Sequence, residues 1–220
     1  MMRAAFVLVG LASISVACGG APAPVAPQPP AATIDGGAPP EPPPGTSLVR
    51  FDDLGLGFGV PAGFRVLGDD DLAARVRASA SPRLQAALSG RASQKKALPL
   101  LTLSKDDLTV TLAVMLVPAD ASASELAAQQ RAVMGENVEG FTVTDGPKDF
   151  GKDGVLGSEL SARYVVRGAR AQATTRFFVR AMPNGSGLAI LETAVWPEAS
   201  PRGADARAAL DDIHFYAPAP

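Results

Sequence analysis

Proline placement constrains this chain more than any other feature. Ten of its 20 prolines lie between Pro22 and Pro44, mixed with Ala and Gly. Proline fixes φ and lacks an amide donor, so a run this dense excludes both helix and sheet. Between Gly19 and Ser47 only Val25 and Ile34 are sizeable apolar residues. Such a segment cannot bury enough surface to offset the entropy of ordering it. Stretches such as Glu41 to Pro44 favour extended polyproline II, at about 3.1 Å per residue. A tether spanning tens of ångströms is expected, in preference to an SH3-type ligand. Whatever folds must begin near Leu48.

The residues before the tether have the three parts of an export signal. Arg3 gives a short basic start, Ala4 to Val16 an apolar stretch, and Ser15 to Ala17 a run ending in small residues. The stretch is shorter than the roughly 20 residues that a membrane-spanning helix needs. Residues 1–17 therefore read as a removable signal peptide. Ser15 and Ala17 fit a general secretory cleavage site. The lone cysteine, Cys18, directly follows Ala17, and Val16-Ala17-Cys18 resembles the bacterial lipobox, with Ser15 where Leu is usual. That resemblance implies a lipoprotein in which Cys18 carries a diacylglyceryl group and a further fatty acyl chain such as palmitate. Each buried CH₂ adds about 0.8 kcal/mol of membrane affinity, so several chains hold firmly. The expected address is the bacterial cell envelope, and the outer membrane where there is one, because Gly19 is not an aspartate retention signal. With Cys18 acylated, no thiol remains for a disulfide, and the fold rests on its core alone.

Residues 48–217 suffice for one domain with a sizeable core. The chain is 47% hydrophobic, with 20 basic and 22 acidic side chains. That balance argues against a nucleic-acid partner. Short strands are expected at Val49 to Phe51 and Leu56 to Val60. Helices are expected from Asp69 to Ser79, where three acids complement the helix dipole, and from Ser81-Pro82 to about Ser89, with Arg91 to Lys96 a loop. Strands follow at Leu98 to Leu103 and Leu108 to Val117, joined by a turn at Lys105 to Asp107. The second is apolar on both faces, as in a sheet centre covered on both sides. Ser122 to Glu125 has the form of a capping box for a helix to about Gly135. Three strands come next: Glu159 to Arg167, Ala173 to Ala181 and Leu188 to Trp196, the last two joined through Asn184-Gly185. Ser200-Pro201 looks like a second cap, opening a helix to about Asp212. The fold class is α+β: a largely antiparallel sheet with helices packed on its faces.

The opening from Leu56 to Phe64 (strand, Pro61, Gly63, Phe64), the capped helix at Ser122, the long strands to Trp196 and the closing Ile213-His214-Phe215 resemble the PsbP/DcrB-like proteins. The resemblance spans most of Phe51 to Tyr216, with Asp69 to Gly90 as an insertion. It implies an α/β/α sandwich and an accessory or binding role, and it carries no functional residues over.

Chemistry-bearing residues are sparse. His214 is the sole histidine and sits in an apolar terminal segment. A zinc site needs several His or Cys ligands, so no metal or cofactor is implied. Asp69 to Asp71 are consecutive rather than alternating as in calcium loops. Gly55, Gly57 and Gly59 lie in a strand region rather than opening a helix. Strand alternation places Arg163 with Arg167, and Arg176 with Arg180, on single faces. Were those faces to coincide, a basic strip would meet anionic headgroups or polysaccharide; the plainer expectation is a solvated face balanced by Glu159 and Glu192. Trp196 is expected in the core. The leading expectation is a non-enzymatic binding or accessory module, lipid-anchored to a membrane, whose partner is an envelope protein or polysaccharide. The alternatives are a carrier of a small apolar ligand or lipid, and a hydrolase using Asp106, Asp107 and Glu192.

Overall fold

The computed structural model describes residues 47–67, 97–182 and 185–218. Cys18, the signal segment, the Pro-rich run, the two helices expected over Asp69 to Ser89, the loop expected over Arg91 to Lys96, and Asn184 lie outside the described residues. Ten strands, two α-helices and a short 3₁₀ helix at Asp52–Leu54 are described. The strands and α-helices are β1 (Ser47–Phe51), β2 (Leu56–Val60), β3 (Arg65–Val66), β4 (Leu98–Lys105), β5 (Leu108–Val117), α1 (Ala123–Asn137), β6 (Thr142–Lys152), β7 (Val155–Val166), β8 (Ala169–Ala181), β9 (Gly187–Pro197), α2 (Gly203–Asp211) and β10 (Ile213–Phe215). Seven strands form one sheet in the order β3-β4-β5-β9-β8-β7-β6, and three form a smaller sheet, β1-β2-β10. Every pairing is antiparallel. The α+β expectation holds.

β5 lies inside the large sheet and is buried along most of its length, as its two apolar faces require. Odd positions of β5, β8 and β9 and even positions of β7 share the first face. There Met115, Leu160, Phe177 and Leu191 pack with Leu126 and Ala127 of α1, and Met134 meets Tyr164. The capping box forms as expected: Ser122 Oγ accepts from the Glu125 amide at 3.2 Å, and Glu125 accepts from the Ser122 amide at 3.0 Å. The second face carries the larger core, in which Leu103, Leu112, Phe178 and Ile190 pack against Phe58 of the small sheet and Leu210 of α2. This face is thus covered by a small sheet as well as a helix.

Three expectations need correction. Four long strands follow α1 rather than three, because β6 pairs with β7 at the sheet edge. Its Asp145, Gly146, Pro147 and Lys148 break the apolar alternation and coincide with shifts of register. β7 also begins at Val155, turning back from β6 through Asp153 and Gly154, both at positive φ, as a type I′ hairpin demands. Finally, α2 starts at Gly203, with Arg202 at its N-cap and no side-chain cap. Ser200 donates its amide to Pro197 in a turn, while its hydroxyl is bonded to Asp107.

Candidate functional site

Cross-strand neighbours share a face, so the register decides whether the arginines meet. Glu159 faces Arg176 and Arg163 faces Gln172 across β7 and β8. Arg163, Arg176 and Arg180 therefore do lie on one face, the second. Arg167 does not join them: β7 ends at Val166, and Arg167 occupies the turn to β8 at φ 50°.

The three do not make a free basic strip. Arg176 is nearly buried and is bound to Glu159 at 2.7 Å and to Asp211 of α2 at 2.8 Å, with its guanidinium over the Phe150 ring. Burial works against its charge, but the bonds to Glu159 and Asp211 outweigh it and raise its pKa. Arg180 donates to the carbonyls of Leu54, Gly55 and Tyr216 at 2.7–3.3 Å, tying the end of the small sheet to β8. Gly55 permits this close approach: its φ is 57°, and a side chain there would collide with the Tyr216 carbonyl. Only Arg163 remains open to solvent.

Glu192 is the least expected residue in the domain. It lies on β9 between Leu112 of β5 and Arg176 of β8, on the face that α2 covers. It is fully buried, and neither carboxylate oxygen has a hydrogen-bond partner. Burial pushes its pKa well above the usual carboxylate range, opposed only in part by Arg176 and Lys152. Arg176 spends its hydrogen bonds on Glu159 and Asp211, not on Glu192. A carboxyl so enclosed is held in its neutral form.

The carboxylates considered for hydrolysis do not converge. Asp106 and Asp107 sit on the β4–β5 turn and both bind Arg202. Glu192 lies opposite Leu112, five residues along the strand and so roughly 17 Å from that turn. His214 is half-buried, 3.7 Å from Asp153 through Nδ1. Its pKa is lowered by burial and then by Lys152. Trp196 is core. Among the described residues no group of His, Cys, Asp or Glu could hold a metal ion. No described helix is long and apolar enough to cross a membrane.

A cavity of about 260 Å³ opens beside the turn from α1 to β6, where β6 begins, β7 ends, β8 begins and the chain leaves β9. Gly140, Thr142, Arg163, Val165, Arg170 and Glu198 are among its lining. Arg163 of β7 and Arg170 of β8 approach opposite oxygens of Glu198, each at 3.8 Å. That is an ion-pair distance but too long for a hydrogen bond. The lining is mixed: Tyr164 and Val165 stand beside Thr142 and the three charged side chains. Arg163 had been singled out from sequence; Arg170 and Glu198 had not. Both lie just outside the strand limits read from hydrophobicity, and Arg170 precedes the expected start of its strand at Ala173.

No protein-family model matches the chain, nor does any curated protein sequence. Among solved structures, the chain is similar to LpqN of Mycobacterium tuberculosis, a protein involved in cell envelope biogenesis. The TM-score is 0.52 at 14% identity, over 78% of this chain and 90% of LpqN. That likeness shows a shared fold. A second similarity, to the Pseudomonas aeruginosa protein of unknown function PA94, has a TM-score of 0.39 at 13% identity, over 76% and 94% of the two chains, and is too loose to carry an argument.

Proposed function

We propose that this chain is a non-catalytic binding module of the bacterial cell envelope, held at a membrane by lipid on Cys18. One observation carries the reading: β1 starts at Ser47, where the Pro-rich run stops. An export signal closing on Ser15-Val16-Ala17-Cys18, a Pro-rich tether sequence and a packed domain then follow in order. A lipid-anchored binding module needs those three parts in that order.

The domain supports a binding role over a catalytic one. The carboxylate-dependent hydrolase considered from the sequence needs two acids converging on one reacting site. Here Asp106 and Asp107 are paired with Arg202, and Glu192 is sealed. The open cavity offers two guanidinium groups and one carboxylate, which suit recognition. The shared fold with an envelope-biogenesis protein agrees with an envelope address, as does the PsbP/DcrB-like resemblance. The partner class is an envelope protein or polysaccharide.

Crosslinking in intact cells, followed by mass spectrometry of captured species, tests this. The control carries the same signal and tether on an unrelated domain. The expected result is one envelope component captured by the native chain and not by the control. Recovery of the same bulk abundant proteins by both would count against a specific binding role.

A further inference from the structure

We infer that the cavity between Arg163 and Arg170 is a site for a single phosphodiester group. The inference goes beyond the envelope reading and does not depend on the anchor. Arg163 and Arg170 project from neighbouring antiparallel strands. Their side chains are 53% and 79% exposed, so their donors are available to a ligand. Among the described residues lining the cavity the one acid is Glu198, which stands 3.8 Å from each guanidinium. Two guanidinium forks thus converge on a point without being consumed there.

The geometry selects the anion. A carboxylate can accept from two guanidiniums through its two oxygens, but it presents them in one plane; Glu198 stands 3.8 Å from each arginine. A tetrahedral phosphate presents oxygens in more than one plane and can accept from both forks together. Charge points the same way. Two arginines and one glutamate leave a net charge of +1, which a phosphodiester monoanion neutralises. Arg167, exposed on the β7–β8 turn, adds a cation three residues from Arg170. The volume of about 260 Å³ admits a phosphate with a glycerol-sized substituent. Positive φ at Gly140 (64°) lets the chain turn tightly over Val165, whose amide donates to the Glu139 carbonyl, and this closes the cavity wall.

The same chemistry is offered by a free glycerophosphodiester and by an anionic lipid headgroup. The test uses the full chain in non-ionic detergent micelles at low ionic strength, followed by titration calorimetry. The probes are soluble glycerophosphoglycerol, short-chain phosphatidylglycerol added to the micelles, and acetate. Saturable binding of the soluble diester is expected if the phosphate suffices. Binding of the lipid alone would assign the site to a headgroup. Arg163→Ala and Arg170→Ala should each weaken binding about tenfold or more, as loss of a charge-assisted hydrogen bond does. Glu198→Gln should tighten it about fivefold by removing a like charge. Arg163 and Arg170 are exposed and Glu198 partly so, so melting temperatures should stay near the native value and separate lost binding from lost folding. Failure of both phosphate probes would overturn the inference. So would binding indifferent to the arginine substitutions, or acetate binding as tightly as the diester.

Discussion

Replacing Glu192 with Gln should change how stability depends on pH more than stability itself. Glu192 is fully buried and neither oxygen has a partner, and burial raises its pKa well above the usual range. In the unfolded chain the same carboxyl ionises near its ordinary value of about 4.3. Above that pH the folded protein holds a proton that the unfolded one has released. Stability must then fall as pH rises, by about 1.4 kcal/mol per pH unit, for as long as Glu192 stays protonated. The contribution is fully present below the unfolded value and is lost as pH climbs towards the folded one. His214 works in the opposite direction. Its pKa is lowered by burial and by Lys152, so it favours the fold as pH rises towards its unfolded value. For that reason the informative quantity is the difference between native and Glu192→Gln proteins at each pH. Between pH 5 and 6.5 the Gln variant should gain on the native protein, by about 1.4 kcal/mol for each pH unit over which Glu192 keeps its proton. For a chain of this size each such unit is a widening of roughly 3–6 °C in melting temperature. Calorimetry across that range measures it directly. Parallel curves would show that Glu192 does not retain its proton. A Gln variant that loses ground as pH rises only below about pH 4.3, with parallel curves above it, would show instead that Glu192 is ionised and paired with Arg176.

Two further predictions concern how the elements are fixed. Ser122→Ala removes the hydroxyl that accepts from the Glu125 amide and should cost about 1 kcal/mol in urea unfolding; an unchanged midpoint would show that the cap is dispensable. Gly55→Ala places a side chain at φ 57° against the Tyr216 carbonyl and should cost about 2 kcal/mol or more. Wild-type stability in that variant would contradict the close packing of the small sheet against β8.

The sequence disclosed elements with strong local signals. β5 announced itself through apolar residues on both faces, and α1 through its capping box. β6 was missed because Asp145, Gly146, Pro147 and Lys148 interrupt any alternation, and an edge strand needs none to be held. Asp153-Gly154 was the available clue, since that pair favours a type I′ hairpin. At α2, Ser200-Pro201 had the form of a cap, but the Ser200 hydroxyl had a distant competitor in Asp107. The pairing of β10 with β2 joins residues far apart in the chain, and no local pattern encodes it. The site shows the same division. Parity paired Arg163 with Arg167 and Arg176 with Arg180; the register joins Arg163, Arg176 and Arg180 on one face and leaves Arg167 in a turn, and the partners come from α2, the small sheet and the end of β9. Whether an arginine is free or committed depends on those long-range contacts.

The most direct test of the central claim is fractionation of cells labelled with a clickable palmitate analogue, comparing native protein with Cys18→Ala. The native chain should carry label and sediment with membranes through a high-salt wash. The variant should be unlabelled, folded and soluble. Label on the variant, or a variant that still sediments after the wash, would contradict anchoring through Cys18.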